Sequence, residues 1–425
     1  MKKALCLIIA LLMLSASVIG CGNNDDPAPP DAPTADEPVV FVAFGSETGA
    51  LAESGRQVRM AAQTAEWFIN EHLGGFPSMG GRPVRIVMVD STSDTAQAPL
   101  ELQRAIESYN PVAIIGNPNS GITLASLAIA EEAQVPMITA AAANIAVSQQ
   151  GATFVFQPAA VAREFAPTQM AFMDYFAGHL GLALEDLRFG IVYADDAWGA
   201  DNAASTRALL EERGLTIAFD GSYVIDGFAD ATPLVTGMME AGVDVMFPSA
   251  YPPDLGLIFT AMRALGFDPL VVGGGAAMTW PTLYEQIGEL TDGLTSVDSW
   301  VWNQRTAYEN EGWMKMNAWY EAQFNEFIPG QAGPTIFSIM IAWSAVEAVG
   351  STDTIAVRDR LRVVTENECE WMGIQNGFGS FNEDGLNDGA RAVMMQWQGG
   401  RPMAVFPPEF ATVPVLNPAT MQPFD

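Results

Sequence analysis

The sequence predicts an α/β protein made of two doubly wound, parallel-sheet lobes that are joined by a hinge of several strands. Strand-like apolar runs alternate with amphipathic helical stretches, a pattern that is typical of a parallel sheet covered on both faces. The alternation restarts near residue 188, and the chain beyond residue 37 is longer than one hydrophobic core usually supports. We therefore expect two sheets of similar size.

The first array contains three strand–helix units and a closing strand. Apolar side chains of the first predicted helix fall on one helical face, and this helix ends on two glycines, which favour a helix C-terminus. Strands are predicted at 39–45, 84–90, 112–116 and 135–140, and helices at 53–75, 96–108 and 122–132.

The second array repeats the unit, and a helical region and a strand-like tail follow it. Strand and turn are predicted at 188–199, 243–251 and 269–275, with helices running to 214 and 266, then three helices from residue 313 and strand-like pieces within 377–406. A chain that returns after the second lobe crosses the hinge more than once, which favours hinged closure. The predicted lobes are 38–157 with 300–387, and 158–299 with 388–425.

The N-terminus has the three parts of an export signal: Lys2 and Lys3, an apolar core at 4–13, and small residues after it. This core is shorter than the roughly 20 residues of a membrane-spanning helix. Residues 18–21 (Val-Ile-Gly-Cys) resemble the bacterial lipobox, in which a signal peptidase cuts before a cysteine that then carries diacylglycerol. We therefore predict a lipoprotein signal peptide at 1–20, a lipidated Cys21, and export to the periplasm or cell surface.

The next predicted segment, the lipidated cysteine with a flexible tether, spans 21–37. It holds four prolines and no large apolar residue, so it favours an extended chain over a packed core. Contact with the membrane is expected only through the lipid.

Composition limits the partners. The chain carries 50 acidic and 19 basic residues, a net charge of −31, and binding to nucleic-acid phosphates needs clustered Lys and Arg. Nucleic acid is therefore excluded as an expected partner. Cys369 is the one cysteine beyond the tether, so no internal disulfide is predicted there.

Signs of catalysis are weak. The sequence has no Gly-x-Ser-x-Gly, no phosphate loop and no Gly-x-Gly-x-x-Gly after a strand. Its two histidines, His72 and His179, are far apart, and His72 is better placed as a partner of a helix C-terminus. The pair Asp195-Asp196 favours a turn or a helix N-terminus over a cation site. We predict a protein without catalytic residues, metal or cofactor.

The loops after the strands favour binding instead. Ser120 stands just before a helix in "GNPNSG", and small residues follow another strand in "TAAAAN", so that backbone N–H groups could approach an anionic oxygen. Trp198 and Tyr251 follow strands of the second array and could form an apolar wall with a polar handle. The alternative is that both aromatic residues only pack within their lobe.

Taken in order, several segments resemble the type I periplasmic (solute) binding proteins of the branched-chain amino acid (Leu/Ile/Val) ABC transporter family, in a lipoprotein form. The "FGSFNEDG" turn near the end resembles the family's Phe-Asp-x-x-Gly turn, with Asn382 in place of the aspartate. The resemblance covers nearly the whole chain after the tether. Its clearest segments are 41–75, 82–106, 112–144 and 189–214.

The resemblance implies a ligand site between two closing lobes. The family's serine for the ligand carboxylate falls on Ser120, and its Ser/Ala-Ala-Thr loop falls on residues 141–143, where Ala143 lacks the threonine hydroxyl. Gly275 stands near the family's glutamate, which binds the ligand's ammonium. The ligand-binding residues implied in this way are Ser54, Ser120, Ala141, Ala142, Ala143, Trp198, Tyr251 and Gly275.

A missing glutamate changes the expected ligand, because a bare ammonium in a closed cleft is costly without a partner. We therefore expect a small carboxylate or a neutral polar molecule with an apolar body ahead of an amino acid, which stays open as a ligand. The cleft could include Trp280 and Trp302. Glu47 is the acid that could replace the glutamate if an amino acid binds.

The resemblance further implies an ABC transporter permease as the partner of the ligand-bound form. A second possibility is a receptor subunit of the same fold that reports its ligand to a membrane partner. An exported hydrolase is a remote third possibility.

Overall fold

The computed structural model describes residues 37–365, 371, 376–377 and 379–424. The predicted signal peptide, Cys21, nearly all of the tether and Cys369 lie outside these residues. The first part of the described chain builds one five-stranded, all-parallel sheet of order β2-β1-β3-β4-β5. Its elements are β1 (Val39–Gly45), α1 (Ala52–His72), β2 (Val84–Asp90), α2 (Ala98–Tyr109), β3 (Ala113–Gly116), α3 (Ser120–Ala133), β4 (Met137–Ile138) and β5 (Val155–Phe156).

Both faces of this sheet are covered, as the apolar runs require. In β1, Phe41 and Ala43 belong to the core on one face, and Val42 and Phe44 to the core on the other. Successive strand residues point to opposite faces, so an apolar run without polar interruption is buried on both sides. Helix α1 packs on the first face and helices α2 and α3 on the second.

A second sheet of seven strands follows, in the order β12-β11-β10-β9-β8-β6-β7. Strands β6 to β10 run parallel to one another, whereas β11 runs antiparallel to both β10 and β12. The elements up to β10 are α4 (Ala162–Leu180), β6 (Arg188–Ala194), α5 (Ala197–Glu212), β7 (Thr216–Tyr223), α6 (Thr232–Ala241), β8 (Val245–Ser249), α7 (Pro252–Leu265), β9 (Leu270–Gly274), α8 (Pro281–Ile287) and β10 (Thr295–Asp298).

The rest of the chain visits both sheets. Helices α10, α11 and α12 contribute to the core beside α1, and β11 and β12 close the edge of the second sheet. Two short strands end the described chain. These last elements are α9 (Arg305–Tyr308), α10 (Glu311–Phe324), α11 (Ala332–Val349), α12 (Thr354–Val363), β11 (Val393–Gln398), β12 (Arg401–Phe406), β13 (Leu416–Asn417) and β14 (Gln422–Pro423).

We call the part built on the first sheet lobe 1 and the part built on the second lobe 2. In the described residues, three segments connect them, at 157–161, 299–304 and 387–392. Two of these lie side by side, because the Asn387 N–H donates to the Gln157 carbonyl at 3.0 Å. We propose lobe boundaries at 157/158, 299/300 and 387/388 because they fall in these segments.

The predicted α/β fold with parallel-sheet lobes is confirmed, with one difference. The strand-like tail adds two antiparallel strands to the second sheet, because β11 and β12 form a hairpin across Gly399 and Gly400. A tight hairpin can only join antiparallel neighbours.

Helix α11 is long and apolar enough, by length and composition, to cross a membrane, and it is the one such helix in the described part of the chain. However, 72% of it is buried inside the protein, where it packs against α1 and α12. A core helix passes the same test, and this burial is what a core helix shows.

Candidate ligand-binding site

A cavity lies between the lobes, where the carboxyl ends of both sheets face each other. This is where open α/β sheets usually bind ligands. In this closed arrangement the cavity is small, because the space open to the centre of a water molecule measures about 20 Å³. Twelve residues line it: Pro118, Asn119, Ala141, Ala143, Phe165, Trp198, Tyr251, Ala277, Trp280, Asp298, Ser299 and Gln331.

The lobe 1 wall contains the N-terminus of α3. Asn119 is the N-cap residue of this helix, but its side chain makes no capping hydrogen bond. Its Oδ1 accepts instead from Ser54 Oγ at 3.2 Å and Ser46 Oγ at 3.3 Å, and its Nδ2 has no acceptor within hydrogen-bond distance in the described structure. Free N–H groups at a helix N-terminus attract anionic oxygens.

The loop after β4 forms the rest of this wall. Ala141 and Ala143 line the cavity, and their backbone N–H groups donate to no acceptor within the residues described. The N–H of Ala142 donates to the Thr139 carbonyl at 3.1 Å, so this group is not available to a ligand. Ser120 Oγ accepts from the Asn144 N–H at 3.2 Å and does not line the cavity.

Aromatic side chains make up most of the lobe 2 wall. The rings of Trp198 and Tyr251 lie 5.0 Å apart, and those of Tyr251 and Trp280 lie 6.4 Å apart. Trp280 is 2% exposed, and its Nε1 has no acceptor within hydrogen-bond distance in the described structure. The wall therefore offers a large apolar surface with an unpaired indole N–H.

A half-buried carboxylate, Asp196, supports the tyrosine of this wall. The Tyr251 hydroxyl donates to Asp196 Oδ2 at 2.8 Å, and burial together with this neighbour raises the pKa of Tyr251 well above its usual value. Asp196 Oδ1 accepts from the Gly199 N–H at 2.7 Å and caps α5, as predicted. Burial raises the pKa of Asp196.

Gly275 lies behind this wall and not at its surface. Its φ is +105°, and a Cβ built there would lie 2.8 Å from Cζ2 of Trp198. The Trp198 indole therefore fills the space that any side chain at position 275 would enter. The glycine at 275, in place of the expected glutamate, and the tryptophan at 198 are therefore two parts of the same packing arrangement.

Three further polar residues, Asp298, Ser299 and Gln331, complete the lining, and sequence reasoning missed all three. Asp298 stands at the carboxyl end of β10 and is 1% exposed, and burial raises the pKa of its carboxyl to about 7. Gln331 is 6% exposed, and no donor reaches its Oε1 in the part of the chain described here.

The lobes touch directly beside the cavity. Asn144 Nδ2 of lobe 1 donates to the Ala197 carbonyl of lobe 2 at 2.6 Å. The Ile145 N–H donates to Asp201 Oδ2 at 3.2 Å. These hydrogen bonds hold the cleft in a closed arrangement.

The chain matches the family model described as "Periplasmic binding protein" over residues 38–401. This chain belongs to that family. It is 25% identical over 341 residues to Leu/Ile/Val-binding protein homolog 7 of Brucella abortus, covering 79% of this chain and 84% of the relative. The substrate-binding protein LivJ of Streptococcus pneumoniae, solved with isoleucine, is similar in structure: TM-score 0.72, 22% identity, 87% of this chain and 98% of that chain.

A solute-binding protein from Rhodopseudomonas palustris, solved with 3,4-dihydroxybenzoic acid, has a TM-score of 0.68 at 16% identity, covering 87% of this chain and 95% of that chain. The predicted fold, a type I periplasmic binding protein of the branched-chain amino acid class, is thereby confirmed. The family consists of exported solute-binding proteins, not enzymes.

Several residues considered from the sequence of this periplasmic binding protein lie away from the cavity. Ser54 is fully buried behind Asn119, and Trp302 donates from Nε1 to the Pro402 carbonyl at 2.8 Å. Glu47 is paired with Arg59, with 2.7 Å between Oε1 and Nη1.

The histidines lie elsewhere as well. His72 ends α1 and packs against Trp67, and Nδ1 of His179 is 2.8 Å from the Tyr175 carbonyl oxygen. Within the described ranges, no group of three His, Cys, Asp or Glu side chains could hold a metal ion.

Proposed function

We propose that this chain is the lipid-anchored, extracytoplasmic substrate-binding protein of an ABC importer. Its ligand is a small amphipathic solute with a carboxylate, which is bound as the two lobes close and is then delivered to a membrane permease. The observation that carries this proposal is the closed cavity at the carboxyl ends of both sheets, with free N–H groups on one wall and aromatic rings on the other.

The lobe 1 wall supports a carboxylate subsite. The uncapped N-terminus of α3, the Asn119 amide and the N–H groups of Ala141 and Ala143 surround the same space. Each is a neutral donor, so a ligand carboxylate would meet no negative charge on this wall. Ser120, at the first turn of α3, would position the loop through its bond to Asn144.

The lobe 2 wall supports an apolar ligand body. Trp198, Tyr251, Trp280 and Phe165 present rings to the cavity. Related binding proteins were solved with isoleucine, with leucine and with 3,4-dihydroxybenzoic acid. A carboxylate joined to an apolar body is common to all three molecules.

The lipid anchor and the permease are supported by the lipobox-like residues 18–21, by the proline-rich tether and by the family. A lipidated Cys21 would keep the domain near the membrane, where the tether lets it reach a permease. Replacing Cys21 by alanine should release the protein from membranes into the soluble fraction.

Thermal unfolding against a solute panel tests the binding proposal. The protein would be the unit 35–425, which is compact by itself. The panel holds amino acids, their 2-oxo acids, aromatic carboxylates, amides and urea. A solute at about 100 times its Kd stabilises by about 2.7 kcal/mol, which raises Tm by a few degrees.

Asn119→Asp is the matched variant, because it keeps the side-chain shape and places a negative charge against the ligand carboxylate. It should abolish the Tm shifts caused by carboxylates, whereas Ser120→Ala, which removes only the bond to the loop, should weaken them. If neutral amides shift Tm and carboxylates do not, the carboxylate subsite is wrong. If no solute shifts Tm, the binding proposal itself fails.

A further inference from the structure

Asp298 occupies an unusual position for a buried acid. It is the last residue of β10, whose neighbour β9 ends at Gly274, and Val297 pairs with Gly274 in the parallel register. Asp298 therefore lies beside Gly275, where the sequence led us to expect a glutamate and found none. Its side chain is 1% exposed, and it lines the cavity.

The hydrogen bonds of Asp298 come from neutral groups. Oδ1 accepts from the Ser299 N–H at 2.6 Å, from Ser299 Oγ at 3.2 Å and from the Trp300 N–H at 3.4 Å, and Oδ2 accepts from Thr279 Oγ1 at 3.2 Å. No Lys, Arg or His nitrogen lies within 4.0 Å of this carboxylate in the described ranges. A buried charge without a countercharge is expensive, and a cation beside it recovers that cost.

Two other acids, Glu47 and Asp196, are already engaged. Glu47 forms an ion pair with Arg59. Asp196 uses one oxygen to cap α5 and the other to accept from Tyr251, and it is absent from the lining. Asp298 is the one carboxylate among the lining residues.

Gln331 supplies a second, independent observation. It is 6% exposed and comes from lobe 1, and its Oε1 reaches no donor in the described structure. A buried acceptor without a donor costs roughly 1–3 kcal/mol, so it is expected to meet a ligand group. Asp298 and Gln331 line the same small cavity and both accept hydrogen bonds, which suits an ammonium with its three N–H donors.

We propose that Asp298, with Gln331, forms a cation subsite that binds the ammonium of an amino acid. This subsite replaces the acid missing at position 275, where the Trp198 indole fills the space. The inference rests on the proposed function and narrows it: the ligand is a zwitterion, not the amine-free carboxylate or neutral molecule that the sequence alone led us to expect.

The test compares amino acids with their amine-free analogues on the full chain purified in detergent. The twenty standard L-amino acids are screened by thermal shift, and the strongest binder is compared with its 2-oxo acid by calorimetry. We expect the wild-type protein to prefer the amino acid by at least about tenfold, a range reached by buried charge pairs. Asp298→Asn, which keeps the shape and one acceptor oxygen, should lose this preference.

Asp254→Asn is the matched control. Asp254 is also buried, and it accepts from the Tyr223 hydroxyl at 2.9 Å away from the cavity. This variant should keep the preference for the amino acid. A preference that survives Asp298→Asn would show that Asp298 only holds the turn at residues 298–300, and would overturn the inference.

The pH dependence gives a second readout. Because burial raises the pKa of Asp298 to about 7, amino acid binding should tighten about tenfold between pH 6 and pH 8 in the wild-type protein and not in Asp298→Asn. Tyr251, the other titratable residue of the lining, has its pKa raised well above that interval. Asp196, which accepts a hydrogen bond from Tyr251, is present in both proteins, so any titration of Asp196 contributes to the pH dependence of both.

The outcomes separate this inference from the proposed function. Binding of 2-oxo acids or aromatic carboxylates without binding of any amino acid overturns the cation subsite and leaves the carboxylate subsite standing. Binding of no solute overturns both. Equal affinity for an amino acid and its 2-oxo acid also overturns the cation subsite.

Discussion

The two walls of the cavity differ in chemistry. The lobe 1 wall, near Asn119 and the loop 141–143, presents neutral N–H donors and small side chains. The lobe 2 wall presents four aromatic side chains, with Asp196 behind Tyr251 and Asp298 at the hinge end. One wall is therefore suited to a ligand's negative end and the other to its apolar body and positive end.

Under the proposed function, this difference would couple closure of the lobes to ligand binding. A carboxylate can meet the N-terminus of α3 in an open cleft, but the aromatic surface and Asp298 reach the same molecule only when the lobes meet. A ligand shifts a conformational equilibrium only by its different affinity for the two states. A solute that carries both ends would gain most from the closed state.

Of the variants that test the difference between the two walls, Trp198→Ala should have the largest effect. It removes a ring of the lobe 2 wall that also fills the space over Gly275. Large aromatic-to-alanine changes in a core cost about 3–5 kcal/mol. We expect a clear fall in Tm and loss of binding to every solute.

Trp319→Ala is the control for that variant. Trp319 stacks on Trp67 with 4.9 Å between the rings and is absent from the cavity lining. It should cost less stability and leave binding intact. Equal Tm losses with binding preserved in both variants would show that Trp198 forms no part of the site.

Asp298→Asn should reveal the cost of the buried charge through the pH dependence of unfolding without ligand. The carboxyl has its pKa raised from 3.8 to about 7 in the folded protein. As pH rises above about 4 the unfolded chain ionises first, so wild-type stability falls until about pH 7 and is level above it. The variant has no carboxyl at this position, so its free energy of unfolding does not show this fall, which is on the order of a few kcal/mol.

The measurement is Tm of both proteins from pH 4 to pH 8. The difference should be small at pH 4 and grow toward pH 7 in favour of the variant. Asp254→Asn is the comparison variant. Because burial raises the pKa of Asp254 only to about 6, the Tm difference between this variant and the wild-type protein should level off at a lower pH. A Tm difference that is independent of pH would contradict the assigned shift of Asp298.

Asp201→Ala should have the smallest effect, because it removes one hydrogen bond between the lobes, from the Ile145 N–H. A hydrogen bond of this kind contributes about 0.5–1.5 kcal/mol, so ligand affinity should fall a few-fold with Tm nearly unchanged. Asp195→Ala removes the same charge from an exposed position and should leave affinity unchanged. Equal affinities for both variants would show that this contact does not stabilise closure.

Much of the fold was readable from the sequence. The predicted strands at 39–45 and 84–90 match β1 and β2, because both are rich in β-branched and other apolar residues between clear turn signals. The helices α4 and α6 and the strand β7 were missed. α4 contains Pro167, and β7 carries Asp220 and Gly221, so neither shows a clean period.

The site was less readable. The sequence pointed to Ser120 and to the loop 141–143, whereas Asn119, one residue earlier, faces the cavity. Nothing local distinguishes Asp298, since "TSVD" is a short run without strong alternation. The signal that could have found it is an acid at the end of a strand next to β9, and this requires knowing the strand order.

The sequence by itself determined the α/β class and the repeated strand–helix arrays, and it predicted a ligand site at the strand ends and a lipoprotein signal, because periodicity and turn chemistry are local properties. Tertiary structure decided which wall each residue faces. The indole of Trp198 covers Gly275, and the register of β10 beside β9 brings Asp298 to the place where an acid was missing. Those are contacts between residues distant along the chain, and packing alone sets them.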